Sequence, residues 1–151
     1  MLKFFLFLLF CFSPFISVAQ SVSIAPYSFS FWGSIDQTSQ FTAEYKMAGV
    51  HYFHTWDDEV YRTSTTGQFA KKTSSFAVSL LPVDFRYVRF GGILFANRFP
   101  ITSGNRIHFY LELNLPVRRF DISYRHISNG FNLFTTDNPG LDTIGLRYRF
   151  N

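Results

Sequence analysis

Along much of the chain, apolar and polar residues alternate one for one. From Phe41 to Met47 the odd positions (Phe41, Ala43, Tyr45, Met47) are apolar and the even ones (Thr42, Glu44, Lys46) polar. The pattern returns from Ile107 to Leu115, and again where Phe76, Val78 and Leu80 are set against Ala77 and Ser79. A period of two puts successive side chains on opposite faces of a strand. No segment after Ala19 keeps a helical period for long or reaches the ~20 apolar residues of a transmembrane helix. The runs and their breakers predict eight strands, at approximately 21–32, 39–47, 49–57, 69–81, 84–97, 105–116, 119–128 and 141–150. The connections 33–38, 58–68, 98–104 and 129–140 are long and rich in turn residues; those around Ala48, at Pro82-Val83 and at Val117-Arg118 are tight. Long loops at one end and short turns at the other describe an all-β, antiparallel, up-and-down transmembrane barrel of the outer-membrane type.

A soluble β-sandwich also has half-apolar strands, and composition separates the two. Aromatic residues are 21% of the 151 positions, 21 of them Phe, while charged residues are only 16%. That is too apolar for a small protein whose outer face meets water. The polar parity carries His108, Glu112, Arg147 and Arg149, which suits the filled interior of a narrow barrel. The net charge of +4 is scattered, so it leaves no nucleic-acid footprint, although such cations suit anionic headgroups. Residues 1–19 read as a secretory signal peptide, with Lys3, an apolar run from Phe4 to Phe12 and a small-residue cleavage site at Ser17, Val18 and Ala19. The barrel domain is then 20–151, and the single cysteine, Cys11, is removed with the leader, which excludes thiol chemistry.

One polar group sits where the pattern calls for apolar residues. Phe120, Ile122 and Tyr124 form the apolar parity of the seventh strand, and alternation carries it to His126 and Ser128; Ile144, Leu146, Tyr148 and Phe150 do the same in the eighth, back to Asp142. His126, Ser128 and Asp142 are therefore expected on the lipid-facing wall, near the outer leaflet, on neighbouring strands. Ionisable groups on such a wall are costly and point to function, although polar residues snorkelling at the membrane edge have the same sequence signature. The chemistry open to this trio is acyl transfer: Ser128 as nucleophile, His126 as its base, Asp142 orienting the imidazole. Asn129 and Gly130 adjoin the serine as candidate oxyanion donors.

These residues resemble a known family, the outer-membrane lipid A 3-O-deacylases, or PagL-like acyloxyacyl hydrolases. The likeness covers about the C-terminal third: Gly92 to Pro100, then Phe120 to Gly130 with its His126-x-Ser128-Asn129 element, then Asn138-Pro139-Gly140 and the terminal strand to Phe150. It implies an eight-stranded barrel that needs no cofactor and removes the ester-linked 3-position acyl chain of lipid A, the lipid part of lipopolysaccharide. It also implies Ser128 as nucleophile, His126 as base, Asn129 as oxyanion donor and Asn138 as a supporting loop position. The acid falls on Asp142, where the family often has glutamate, and Asp137 in the preceding loop is a rival. Two other classes remain open from the residues alone: a non-catalytic structural or adhesive barrel, and an esterase for another membrane lipid. Oligomeric state, a homodimer included, is also open. His51 and His54 lack a further ligand set for a metal, His108 reads as interior filling, and Trp32, Trp56 and Tyr148 as interfacial anchors.

Overall fold

The computed structural model describes residues 20–26, 28–29, 38–56, 59–62, 67–70, 73–96, 106–128 and 140–150. The leader, Cys11, Trp32, Asn129, Gly130, Asp137 and Asn138 lie outside them. The strands are β1 (Ser21–Ala25), β2 (Ser28–Phe29), β3 (Thr38–Tyr45), β4 (Ala48–Thr55), β5 (Glu59–Arg62), β6 (Gly67–Ala70), β7 (Thr73–Asp84), β8 (Val88–Phe95), β9 (Ile107–Val117), β10 (Phe120–Ser128) and β11 (Leu141–Arg149). All pairings are antiparallel in the order β1-β3-β4-β7-β8-β9-β10-β11, and β11 returns to β1 and β2. The sheet thus closes on itself as an eight-stranded barrel, with β1 and β2 sharing one staple of the wall.

Three expectations about boundaries are corrected. The first strand is not continuous: Pro26, which has no N–H to donate, interrupts it, and Ala25 and Ser28 both face inward across the break. Pro82-Val83 is not a turn. β7 runs on to Asp84 through a bulge between Leu80 and Val83, and the chain turns at residues 85–87. Opposite the bulge a Cβ on Gly91 would overlap the Leu80 carbonyl, so glycine is required there. Finally, the 58–68 connection is not plain loop; β5 and β6 pair as a separate hairpin, which takes residues 69 and 70 out of the barrel strand. The turns expected near Ala48 and Val117 fall at residues 46–47 and 118–119, where Lys46 (φ 52°) and Arg118 (φ 59°) take the left-handed conformation tight hairpins use.

The wall is inverted relative to a soluble protein. Val78, Leu80, Phe90, Leu94, Ile122 and Leu146 point outward and are exposed, while Glu44, Arg89, Glu112, Arg125 and Arg147 are buried inside. Burying charge is tolerable only when it is paired and hydrogen-bonded, and here it is. Glu112 takes Arg125 Nε at 2.8 Å, the Tyr110 hydroxyl at 2.7 Å, and Arg147. Glu44 takes Arg89 Nη1 at 2.8 Å and Ser21 Oγ at 2.9 Å. Arg125 spans the lumen to Thr42 Oγ1 and Ser23 Oγ, both at 3.1 Å. Towards the long-loop end the filling becomes apolar, with Phe53, Phe95, Ile127 and Leu141 in one cluster. His108 is interior, as its alternation predicts, with its ring edge-on to Phe95. Arg149 differs from the expectation: it lies at the rim, 35% exposed, against Asp121 at 2.9 Å.

Candidate active site

The polar trio sits where β10 and β11 approach the long-loop end. The register pairs Tyr124 with Ile144, His126 with Asp142 and Ile127 with Leu141. Parity holds along β10: Phe120 and Ile122 are exposed, Asp121, Ser123 and Arg125 buried, and His126 lies on the outward parity. Residues directly opposite in an antiparallel pair have Cβ atoms only about 5 Å apart, which explains why the short aspartate reaches. Its Oδ1 lies 2.7 Å from His126 Nδ1. The side chain of His126 is 36% exposed while that of Asp142 is 2% exposed, so a shielded carboxylate holds a ring that stays accessible. With Nδ1 donating to the carboxylate, Nε2 is left as an acceptor, the tautomer a general base needs.

Two further residues shape this pair, and neither belongs to the trio. The Tyr124 hydroxyl donates to the same Asp142 Oδ1 at 2.6 Å, so one oxygen serves both phenol and imidazole. Gly140 is buried against the ring: a Cβ there would come within 2.5 Å of His126 Cε1, 3.2 Å of Nδ1 and 3.3 Å of Nε2. Any side chain would have to push the imidazole aside. Tyr124 is hard to find from sequence because it fits the apolar parity and reads as wall filling. Gly140 reads as a turn residue; only the packing shows that it makes room for the ring.

Ser128 ends β10 two residues beyond His126 and pairs with Phe109 of β9. It is 4% exposed, more covered than its outward parity suggests, and no hydrogen bond joins it to His126 among the described residues. In uncomplexed active sites the nucleophile–base contact is often open and tightens only with substrate. Beneath the trio, Ile127 and Leu141 face inward into the apolar cluster, giving the wall a packed, dry backing. Asp142 also pairs with Phe29 of β2, so its backbone position is flanked by β10 on one side and β2 on the other.

His51 and His54, considered as a metal pair, are separated by the wall. His51 is buried in the lumen with Nε2 at 2.7 Å from Ser79 Oγ, whereas His54 lies outside at 2.8 Å from Ser74 Oγ. Trp56 donates to Ser39 Oγ at 2.6 Å, and Tyr148 is flanked by Phe120 and Phe150. No family model, no characterised protein and no solved structure matches the chain.

Proposed function

We propose that the barrel spans the outer membrane and acts as a serine esterase on lipid A, removing the ester-linked 3-position acyl chain as a lipid A 3-O-deacylase. The observation that carries the reading is the His126–Asp142 contact at 2.7 Å on the outer wall, continued along the same strand face by Ser128. An exposed apolar wall supports lipid as its surroundings, and lipid supplies esters whose acyl chains lie against it. The resemblance of the His126-Ser128-Asn129 and Asn138-Pro139-Gly140 elements to the lipid A deacylases supports the choice of ester.

In this mechanism Ser128 Oγ attacks the ester carbonyl as His126 Nε2 takes its proton, and the carbonyl oxygen becomes the oxyanion. Asp142 stabilises the imidazolium through Nδ1, and Tyr124 fixes the carboxylate by donating to the same oxygen. Collapse breaks the bond to the sugar oxygen, which leaves with the proton from His126. Water, deprotonated by the same ring, then releases the fatty acid and restores Ser128. Asn129, with the Gly130 backbone, fills the oxyanion role on this reading, and Asn138 supports it from the loop.

Mass spectrometry of lipid A from cells expressing the wild type or Ser128→Ala tests the proposal. Loss of one ester-linked acyl chain with the wild type alone is expected. Unchanged lipid A with both proteins folded in the membrane would refute it, and loss of acyl chains from phospholipid instead would reassign the substrate. The burial of Ser128 and the open contact to His126 favour one alternative, a non-catalytic barrel with an interfacial polar patch; the same experiment decides between them.

A further inference from the structure

Cations that are scattered in the sequence converge at the short-turn end. The turns at residues 46–47, 85–87 and 118–119 stand there beside the end of β11. Backbone contacts link them into a rim. Lys46 N donates to Gln20 Oε1 at 3.0 Å, Phe150 N to Gln20 O at 2.9 Å, Arg149 N to Arg119 O at 3.0 Å and Asn114 N to Tyr87 O at 2.8 Å. Each turn carries exposed cations, Lys46, Arg86, Arg118 and Arg119; none of the four has a carboxylate within ion-pair distance among the described residues, and Lys46 and Arg86 also border the cavity at the barrel mouth with Glu44 and Asp121. Of the acids at the same end, Glu44 and Asp121 are buried and engage Arg89 and Arg149, and Asp84 closes β7 just before the 85–87 turn.

Next to the cations, exposed aromatic residues ring the barrel: Tyr45, Tyr87, Phe120 and Phe150. Lys46 Nζ lies over the Tyr45 ring at 5.3 Å and Arg86 Cζ over the Tyr87 ring at 5.5 Å. Aromatic residues of this kind settle at the level where acyl chains give way to headgroups, and long cationic stems reach from there to phosphate.

We propose that the short-turn rim docks the anionic headgroups of phospholipids in the leaflet on that side, with Lys46, Arg86, Arg118 and Arg119 as the phosphate-facing groups. The proposal rests on the membrane part of the reading above and is independent of the esterase chemistry. A soluble polyanion would satisfy the four cations but leave the aromatic ring in water. A lipid covers both, with its acyl chains on the rings and its phosphate at the cations.

The test uses the barrel refolded into phosphatidylcholine vesicles, then released into mild detergent containing equal phosphatidylglycerol and phosphatidylcholine, with retained lipids counted by native mass spectrometry. The comparison is a four-site variant: Lys46→Asn and Arg118→Asn, because asparagine tolerates the left-handed backbone at both positions, with Arg86→Gln and Arg119→Gln. The wild type is expected to retain phosphatidylglycerol on the order of tenfold over phosphatidylcholine, with the preference fading near about 1 M salt; the variant should retain both about equally. Heat-dependent gel mobility in the neutral vesicles reports insertion separately. A wild type that inserts there but shows no headgroup preference overturns the rim proposal alone, and one that does not insert overturns the membrane reading with it. Should the four-site variant fail to fold, Arg86→Gln alone must lower the preference, and an unchanged ratio counts against the proposal.

Discussion

The barrel holds two polar clusters that look alike in sequence and differ in what they leave unsatisfied. Inside, Glu112 is surrounded by Arg89, Arg125, Arg147 and the Tyr110 hydroxyl, and Arg125 finds Thr42 and Ser23 across the lumen. On the outer wall, Asp142 accepts from both His126 and Tyr124, yet the second imidazole nitrogen makes no hydrogen bond among the described residues. Around Glu112 and Arg125 donors and acceptors answer one another, so that cluster fills space and fixes strands; its leftover capacity, at Gln40 Oε1 and Asn114 Nδ2, is buried in the lumen. A cluster that ends in a free acceptor, beside a hydroxyl and facing outward, has capacity left for a substrate. Number of charges is therefore a poor guide to function here; hydrogen-bonding capacity left open towards the outside is a better one.

The contrast can be broken at five places, from the largest effect to the smallest. Ser128→Ala should remove deacylation, with turnover down by roughly 10⁵-fold or more while heat-dependent gel mobility is unchanged. Asp142→Asn should cost roughly 10⁴-fold by stabilising the wrong imidazole tautomer, whereas Asp137→Asn should leave the rate near wild type; the opposite pattern in lipid A turnover would move the acid into the loop. Glu112→Ala should act on the other cluster, costing about 3–5 kcal/mol by stranding buried guanidiniums, read as a lower urea midpoint with activity per folded molecule retained. Gly140→Ala should slow turnover roughly 10²-fold by displacing the His126 ring without a comparable loss of stability, as measured on the same samples. Tyr124→Phe should slow it only about tenfold, the worth of one hydrogen bond to a charged group, and Tyr124→Ala should not be rescued to that level.

The strand pattern was readable because period-two alternation survives wherever one wall face is apolar, and it placed His126 correctly on the outward parity. It failed where backbone chemistry overrides the period. Pro82 looks like a turn residue, yet a bulge accommodates it within β7, and Pro26 breaks a strand that the residue types alone would carry through. At the site, parity could bring His126 and Asp142 onto one face, but only the register puts them directly opposite each other, and the proposed base role rests on that contact. Tyr124 and Gly140 were hidden for opposite reasons. One looks like wall filling and the other like a turn, and their contribution lies in contacts that no local pattern encodes. The interior ion network was partly visible in Glu112 and Arg147, but Glu44 joins it from 68 positions away.

The pairing of Asp142 with Phe29 has a consequence for assembly. The residue belongs to the strand whose far edge forms the seam with the first strand, the joint that turns a sheet into a cylinder. A barrel opened at that seam would still carry His126 and Ser128 two positions apart on one face of β10, with Asp142 opposite His126, but one flank of the acid's strand would be unpaired. On the proposed esterase reading, shutting the seam would pin the acid's strand from both sides, so the geometry of the His126–Asp142 pair would be firmest in the closed wall.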